Sequence, residues 1–191
     1  MTASTERRTP VATFQERVVG ALRLEPQTFE DVEKDPAAMS QAMLVVVAAA
    51  VAAGIGSAGS GMGVVVATLV AALIGWVIWA LLTYLIGTKL LPESQTHADL
   101  GQMLRVLGFA AAPGLLAIFG IIPFLGWIAR FVAWIWQLIA MVIAVRQALD
   151  YTSTARAVLV CIIGWAVYMV VSVMFALMFG GMAMMSGALA R

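Results

Sequence analysis

The chain has 191 residues, 63% of them apolar, with 11 basic and 10 acidic side chains and a mean hydropathy of +1.00. Soluble domains run nearer half apolar and a quarter charged, so these charges cannot clothe a globule of this size in water. A water-soluble domain, a disordered chain and a nucleic-acid binder are therefore excluded, and the expected fold is an all-α, polytopic membrane helical bundle. One cysteine (Cys161) and one histidine (His97) exclude a disulfide framework and any site that needs a pair of either.

In chain order, residues 1–35 come first and hold five basic and seven acidic side chains. They read as a cytoplasmic amphipathic segment ahead of a membrane domain over 36–191. No hydrophobic segment of a cleavable signal is seen in the first 30 residues. Thr9-Pro10 predicts an N-cap with proline at the first helical position. Val11, Phe14, Val18 and Leu22 then recur at helical spacing. Glu25-Pro26 ends this helix, and a second is predicted from Thr28, with Asp31 closing an approximate capping box. Phe29 and Val32 share its apolar face. The stripe of Phe14, Val18, Leu22 and Phe29 either packs under the bundle or faces the leaflet or a protein partner. The partner-facing reading is the functional one. The polar face is mixed in sign, so strong attraction to anionic lipid is not expected.

Asp35-Pro36 repeats the cap-plus-proline signal. It opens a run of 53 residues without a charge, ending at Lys89. A helix needs about 20 residues to cross the hydrocarbon layer, so this run holds two crossings. They part between Gly54 and Gly63, where five glycines and two serines read as a turn. Further uncharged runs at 106–129, 131–145 and 157–190 complete five predicted spans, at 37–54, 64–88, 102–121, 124–146 and 156–179. Residues 120–126 (GIIPFLG) read as a tight hairpin between the third and fourth. With the amino terminus inside, nine basic residues lie inside (Arg7, Arg8, Arg17, Arg23, Lys34, Lys89, Arg105, Arg146 and Arg156). Only Arg130 and Arg191 lie outside. This orientation predicts a multi-pass protein of the cell (inner) membrane, with its carboxyl terminus outside.

All ten acids lie outside the apolar cores of the spans, which argues against proton or cation coupling. No span offers two metal ligands at helical spacing. Gly59-Ser60-Gly61 resembles part of an intramembrane serine protease motif, but no span carries a histidine to activate the serine. No catalytic residue, metal or cofactor is expected. The residues that stand out are cationic and aromatic. Arg105 lies about a turn into the third span, on one face with Gly108 and Ala112. Arg130 lies two turns into the fourth, on one face with Trp127, Trp134 and Gln137. With Arg146 and Asp150 at the next inner loop, Arg105, Arg130 and Trp134 are candidate lipid or partner contacts. An arginine at the membrane centre costs roughly 2.5–3.5 kcal/mol, and less near an interface. A cation–π contact of Arg130 with Trp127 or Trp134 would return about 0.5–2 kcal/mol. Pro113-Gly114 removes the bond to the Phe109 carbonyl and should kink the third span. Small residues four apart (Ala48, Ala52 and Gly56; Ala67, Ala71 and Gly75; Gly108 and Ala112) suit close helix packing, or a dimer face.

Residues 108–116 (GFAAAPGLL), Ile122-Pro123 and residues 136–154 (WQLIAMVIAVRQALDYTST) together resemble the bacterial branch of the Yip family over roughly 15–175. The resemblance implies five spans and a cytoplasmic amino-terminal segment. Eukaryotic members look like adaptors that bind small GTPases in vesicle transport; bacterial members have no clearly assigned activity. Residues 29–36 (FEDVEKDP) stand in place of the eukaryotic tyrosine-containing entry motif, so a GTPase role does not transfer. The expected function is a non-enzymatic membrane scaffold or adaptor that binds a protein at its head and contacts membrane lipids, with a homo-oligomer as a further expectation. The runner-up is passive movement of lipid or small solutes through a groove near Pro113, with Arg105 and Arg130 as phosphate contacts.

Overall fold

A computed structural model describes residues 12–57, 61–122 and 124–189, with 175–189 given by their backbone alone. The described residues are helical, with no strand. Helix α1 spans Phe14–Leu22 and is capped by Thr13, whose hydroxyl accepts from the Glu16 N–H while Glu16 accepts from the Thr13 N–H at 2.7 Å. The cap expected at Thr9-Pro10 lies outside the described residues. Leu24, at φ 61°, reverses the chain. Helix α2 spans Pro26–Lys34, two residues earlier than Thr28 predicted, because a proline with fixed φ and no N–H suits the first helical position. Asp31 closes no capping box; it accepts from the Gln27 amide at 3.1 Å.

Five helices long and apolar enough to cross a membrane follow, close to the predicted spans: Ala38–Gly56, Met62–Leu90, Leu100–Ile121, Leu125–Ala148 and Thr154–Met174. The first is α3 (Ala38–Gly56). The second is α4 (Gly61–Leu85), which widens into a π-helical turn over Ile86–Leu90. The third is α5 (Leu100–Phe109), continued by a 3-10 helix over Ala112–Ile121. The fourth is α6 (Leu125–Ala148) and the last α7 (Thr154–Leu189). The turn after Gly56 passes through 58–60, outside the described residues, as does Pro123 of the hairpin before α6. Gly59 and Ser60 of the protease-like triplet fall there too.

At Pro113, where a kink is expected, the third span changes helix type, from α to 3-10. The Ala110 N–H still reaches Val106 four residues back, at 2.9 Å, whereas the Gly114 N–H reaches Ala111, three back, at 2.9 Å. Proline has no N–H and its ring would strike the Phe109 carbonyl, so the α-helical ladder stops. A 3-10 run of this length is uncommon; here it is wedged between α3 and α6.

Packing is densest where α1 and α2 meet the adjoining ends of the spans. Phe29, Val32, Met103, Phe109, Val145, Leu149 and Val160 are all fully buried there. Large apolar side chains are presented outward along the whole of α4, from Met62 to Leu85, and along α7 from Trp165 to Met174.

Candidate functional site

Two constructions occupy the two ends of the bundle. At the head end, Arg105 is 8% exposed and points away from lipid. Its Nε donates to the Val32 carbonyl at 3.0 Å and its terminal nitrogen to the Glu33 carbonyl. These are among the carbonyls that the last turn of α2 leaves without helical partners, where a cation is favoured. Three more side chains hold the head. Gln102 donates to Glu33 Oε1 at 3.1 Å, Gln147 to Glu30 Oε1 at 2.9 Å, and the Trp136 indole to the Leu22 carbonyl at 2.9 Å. Arg17, 3% exposed, joins α1 to the α2–α3 corner through Asp35 at 2.6 Å and Gln41 at 3.0 Å.

This clamp corrects the expectation for the apolar stripe. Phe29 is fully buried; Phe14, Val18 and Leu22 are partly buried against the same core, and Phe14 meets Phe109 edge-on at 6.4 Å. Burying one such side chain is worth about 1.5–3 kcal/mol, so the stripe faces the bundle and not a partner. Arg105 is likewise a positioning residue for α2 and not a lipid contact. Arg146 closes the α6–α7 turn on the carbonyls of Tyr151 at 3.2 Å and Thr152 at 3.3 Å. Asp150 is exposed in that turn, at φ 52°. Burial, then the nearby Asp150 carboxylate, push the Glu33 carboxyl up to about 7. The hydrogen bond from Arg17 holds Asp35 below its usual range.

At the other end lies a groove of about 420 Å³. Its walls are α4 (Thr68, Ala72, Gly75, Trp76, Trp79) and α6 (Arg130, Ala133, Trp134, Gln137, Met141). Alanines of α3 and residues 107–117 of the broken third span form the floor. Gly114 lines it, whereas Pro113 is buried behind it. Arg105 takes no part in the lining. Arg130 donates to the Gly56 carbonyl at 3.1 Å, the end of α3. The expected cation–π contact is therefore not made: helix-end carbonyls attract the guanidinium more strongly than the neighbouring indoles. Trp134 is 58% exposed at the groove's edge. Thr68 and Gln137 line the groove, and their side chains have no hydrogen-bond partner among the described residues. An added Cβ at Gly75 would meet nothing within 4 Å.

Some of these residues left no usable signal in the sequence. Trp136 and Gln147 act on partners more than 100 positions away. Gln102 was open to discovery, since Asp99 and Gln102 form a capping box by spacing alone. Thr68 is one of few hydroxyls in an apolar span, easily taken as packing.

In comparisons with known proteins, the Yip1 domain matches residues 20–176. The match begins inside α1 and ends inside α7, so it takes in the groove and the Arg105 contacts on α2, but not Arg17. No curated protein matches the chain, and no solved structure does.

Proposed function

The chain belongs to the Yip1 domain family, and on that premise we propose that it is a non-enzymatic membrane scaffold or adaptor. Its amino terminus lies in the cytoplasm and its carboxyl terminus outside, in the cell membrane. The observation that carries this reading is the clamp of Arg105 on the end of α2, which makes the head a fixed layer under the spans. With the apolar stripe covered, the partner surface is the outward polar face of α1 and α2, including Gln15, Arg23, Asp31 and Lys34, all exposed. A rigid face of mixed charge suits selective docking of a protein by complementary charges.

The orientation is supported by where the cations gather. Lys89, Arg105, Arg146 and Arg156 lie at the head end, and Arg130 is the lone described cation toward the other. Passage of lipid between leaflets would need a polar path from Arg130 to Arg105. The groove stops short of Arg105, which favours a scaffold over a conduit.

Photo-cross-linkers at Gln15 and Arg23 in living cells test the reading. A recurrent protein adduct is expected from both positions and none from Leu81 on the apolar surface. Adducts with lipid alone at Gln15 and Arg23 would overturn it.

A further inference from the structure

We propose that the groove between α4 and α6 holds one glycerophospholipid, its phosphate on Arg130 and one acyl chain lying along Gly75, Trp76 and Trp79. This goes beyond the scaffold reading and does not depend on it. The groove has the size of a ligand site, about 420 Å³ against the roughly 300–1,000 Å³ usual for such sites. Thr68 to Trp79 on one wall and Arg130 to Met141 on the other each run twelve residues, or about 16 Å of helix. The slot is therefore long, narrow and mostly apolar, the shape of a hydrocarbon chain.

Its polar groups are arranged for the rest of a lipid. Arg130 places one N–H on the Gly56 carbonyl and, among the described residues, keeps its other donors free. Every described acidic side chain lies at the head end, so among the described residues no acidic side chain neutralises the guanidinium. A phosphate is the complementary ligand, and a guanidinium binds it in a fork. Deeper in, the Gln137 amide and Thr68 hydroxyl line the groove without partners among the described residues. A polar group left unpaired in hydrocarbon is costly. Both can donate to the ester carbonyls that sit between a lipid's phosphate and its chains. No described residue of α7 lines the groove, and the large side chains from Trp165 to Met174 are exposed, so entry is taken to be lateral, between α4 and α6, from the leaflet farther from the head. A free phosphate would satisfy Arg130 and leave the apolar slot empty, which is why the whole lipid is the committed occupant.

The test is native mass spectrometry on the full chain, delipidated in detergent and titrated with phosphatidylglycerol or with inorganic phosphate. One bound lipid per chain is expected, and no comparable uptake of phosphate. Gly75→Phe fills the slot and should weaken the lipid adduct by about tenfold or more, and Arg130→Gln, losing a charge-assisted contact, by about tenfold. Gly63→Phe serves as control: an added Cβ there also meets nothing within 4 Å, yet Gly63 does not line the groove. It should bind like wild type. If Gly75→Phe fails to fold, Gln137→Leu replaces it, with an expected loss of several-fold. Equal lipid binding by wild type and the groove variants would mean annular lipid only and overturn the proposal. Equal uptake of inorganic phosphate would reduce the site to an anion contact. A lipid-free dimer that Gly75→Phe abolishes would give the groove to a second copy.

Discussion

Four of the described arginines repeat one solution: each donates to backbone carbonyls at the end of a helix or in a turn. Arg105 serves α2, Arg130 serves α3, Arg146 closes the turn after its own helix, and Arg156 reaches Pro92 at 3.0 Å. Replacing Arg105 with methionine keeps the bulk and strips the donors. Two buried carbonyls would lose their partner, so head docking should weaken by about 2 kcal/mol. Hydrogen exchange over residues 14–34 should accelerate accordingly, and unchanged protection would refute the clamp. Glu33 adds a pH dependence. Its folded-state pKa, about 7, lies above the ordinary 4.5, so the docked head binds the proton more tightly than the undocked one. This contribution is complete below the ordinary value and is lost as pH rises through 7. Head protection should therefore fall between pH 5 and pH 8, and Glu33→Gln should remove that fall. Asp35 works in the opposite sense, its share fading in acid as the ion pair with Arg17 is protonated. The unusual position of Arg105 and Arg130 was legible in the sequence. Their partners were not, because they lie 72 to 74 positions away and no spacing rule reaches that far.

Among the elements, runs of neutral residues and proline marked the spans and the break in the third, since lipid demands length and apolarity and proline forbids the α-helical ladder. The π-helical turn at Ile86–Leu90 had no such mark. It is set from outside: the Tyr151 hydroxyl donates between the carbonyls of Gly87 and Leu91, at 3.0 and 2.7 Å, and Leu149 fills the space beside Gly87. Tyr151→Phe should cost about 1 kcal/mol of stability, read from thermal unfolding in detergent. An unchanged midpoint would separate the turn from its hydroxyl. The small-residue stripes were legible as packing positions, and Gly108 shows why. A Cβ there would lie 2.7 Å from that of Ala42, so α3 and α5 are in direct contact. Gly108→Val should destabilise the bundle by about 1–3 kcal/mol through overpacking, whereas Gly63→Val, in open space, should be neutral. Equal effects of the two would contradict this contact.

Over the whole molecule, burial is graded along the membrane normal. The head, the start of α3, α5 and the adjoining ends of α6 and α7 form one dense core, while α4 and residues 165–174 of α7 leave many large apolar side chains exposed. The gradient separates two tasks: a rigid layer at one face, and an open slot reaching lipid at the other. It also explains how far the amphipathic head could be read. Its stripe was visible, but an apolar stripe looks the same whether it meets a partner, a leaflet or its own bundle, and only the tertiary fold decides. The central claim is that five crossings set this layer in the cytoplasm and the α3–α4 and third-to-fourth turns outside. Single cysteines in a Cys161→Ser background, labelled with a membrane-impermeant maleimide, test it most directly. Gln15→Cys and Ser94→Cys should react only after the cells are opened, and Ile122→Cys should react in intact cells; labelling of Gln15→Cys and Ile122→Cys from the same side would contradict the account.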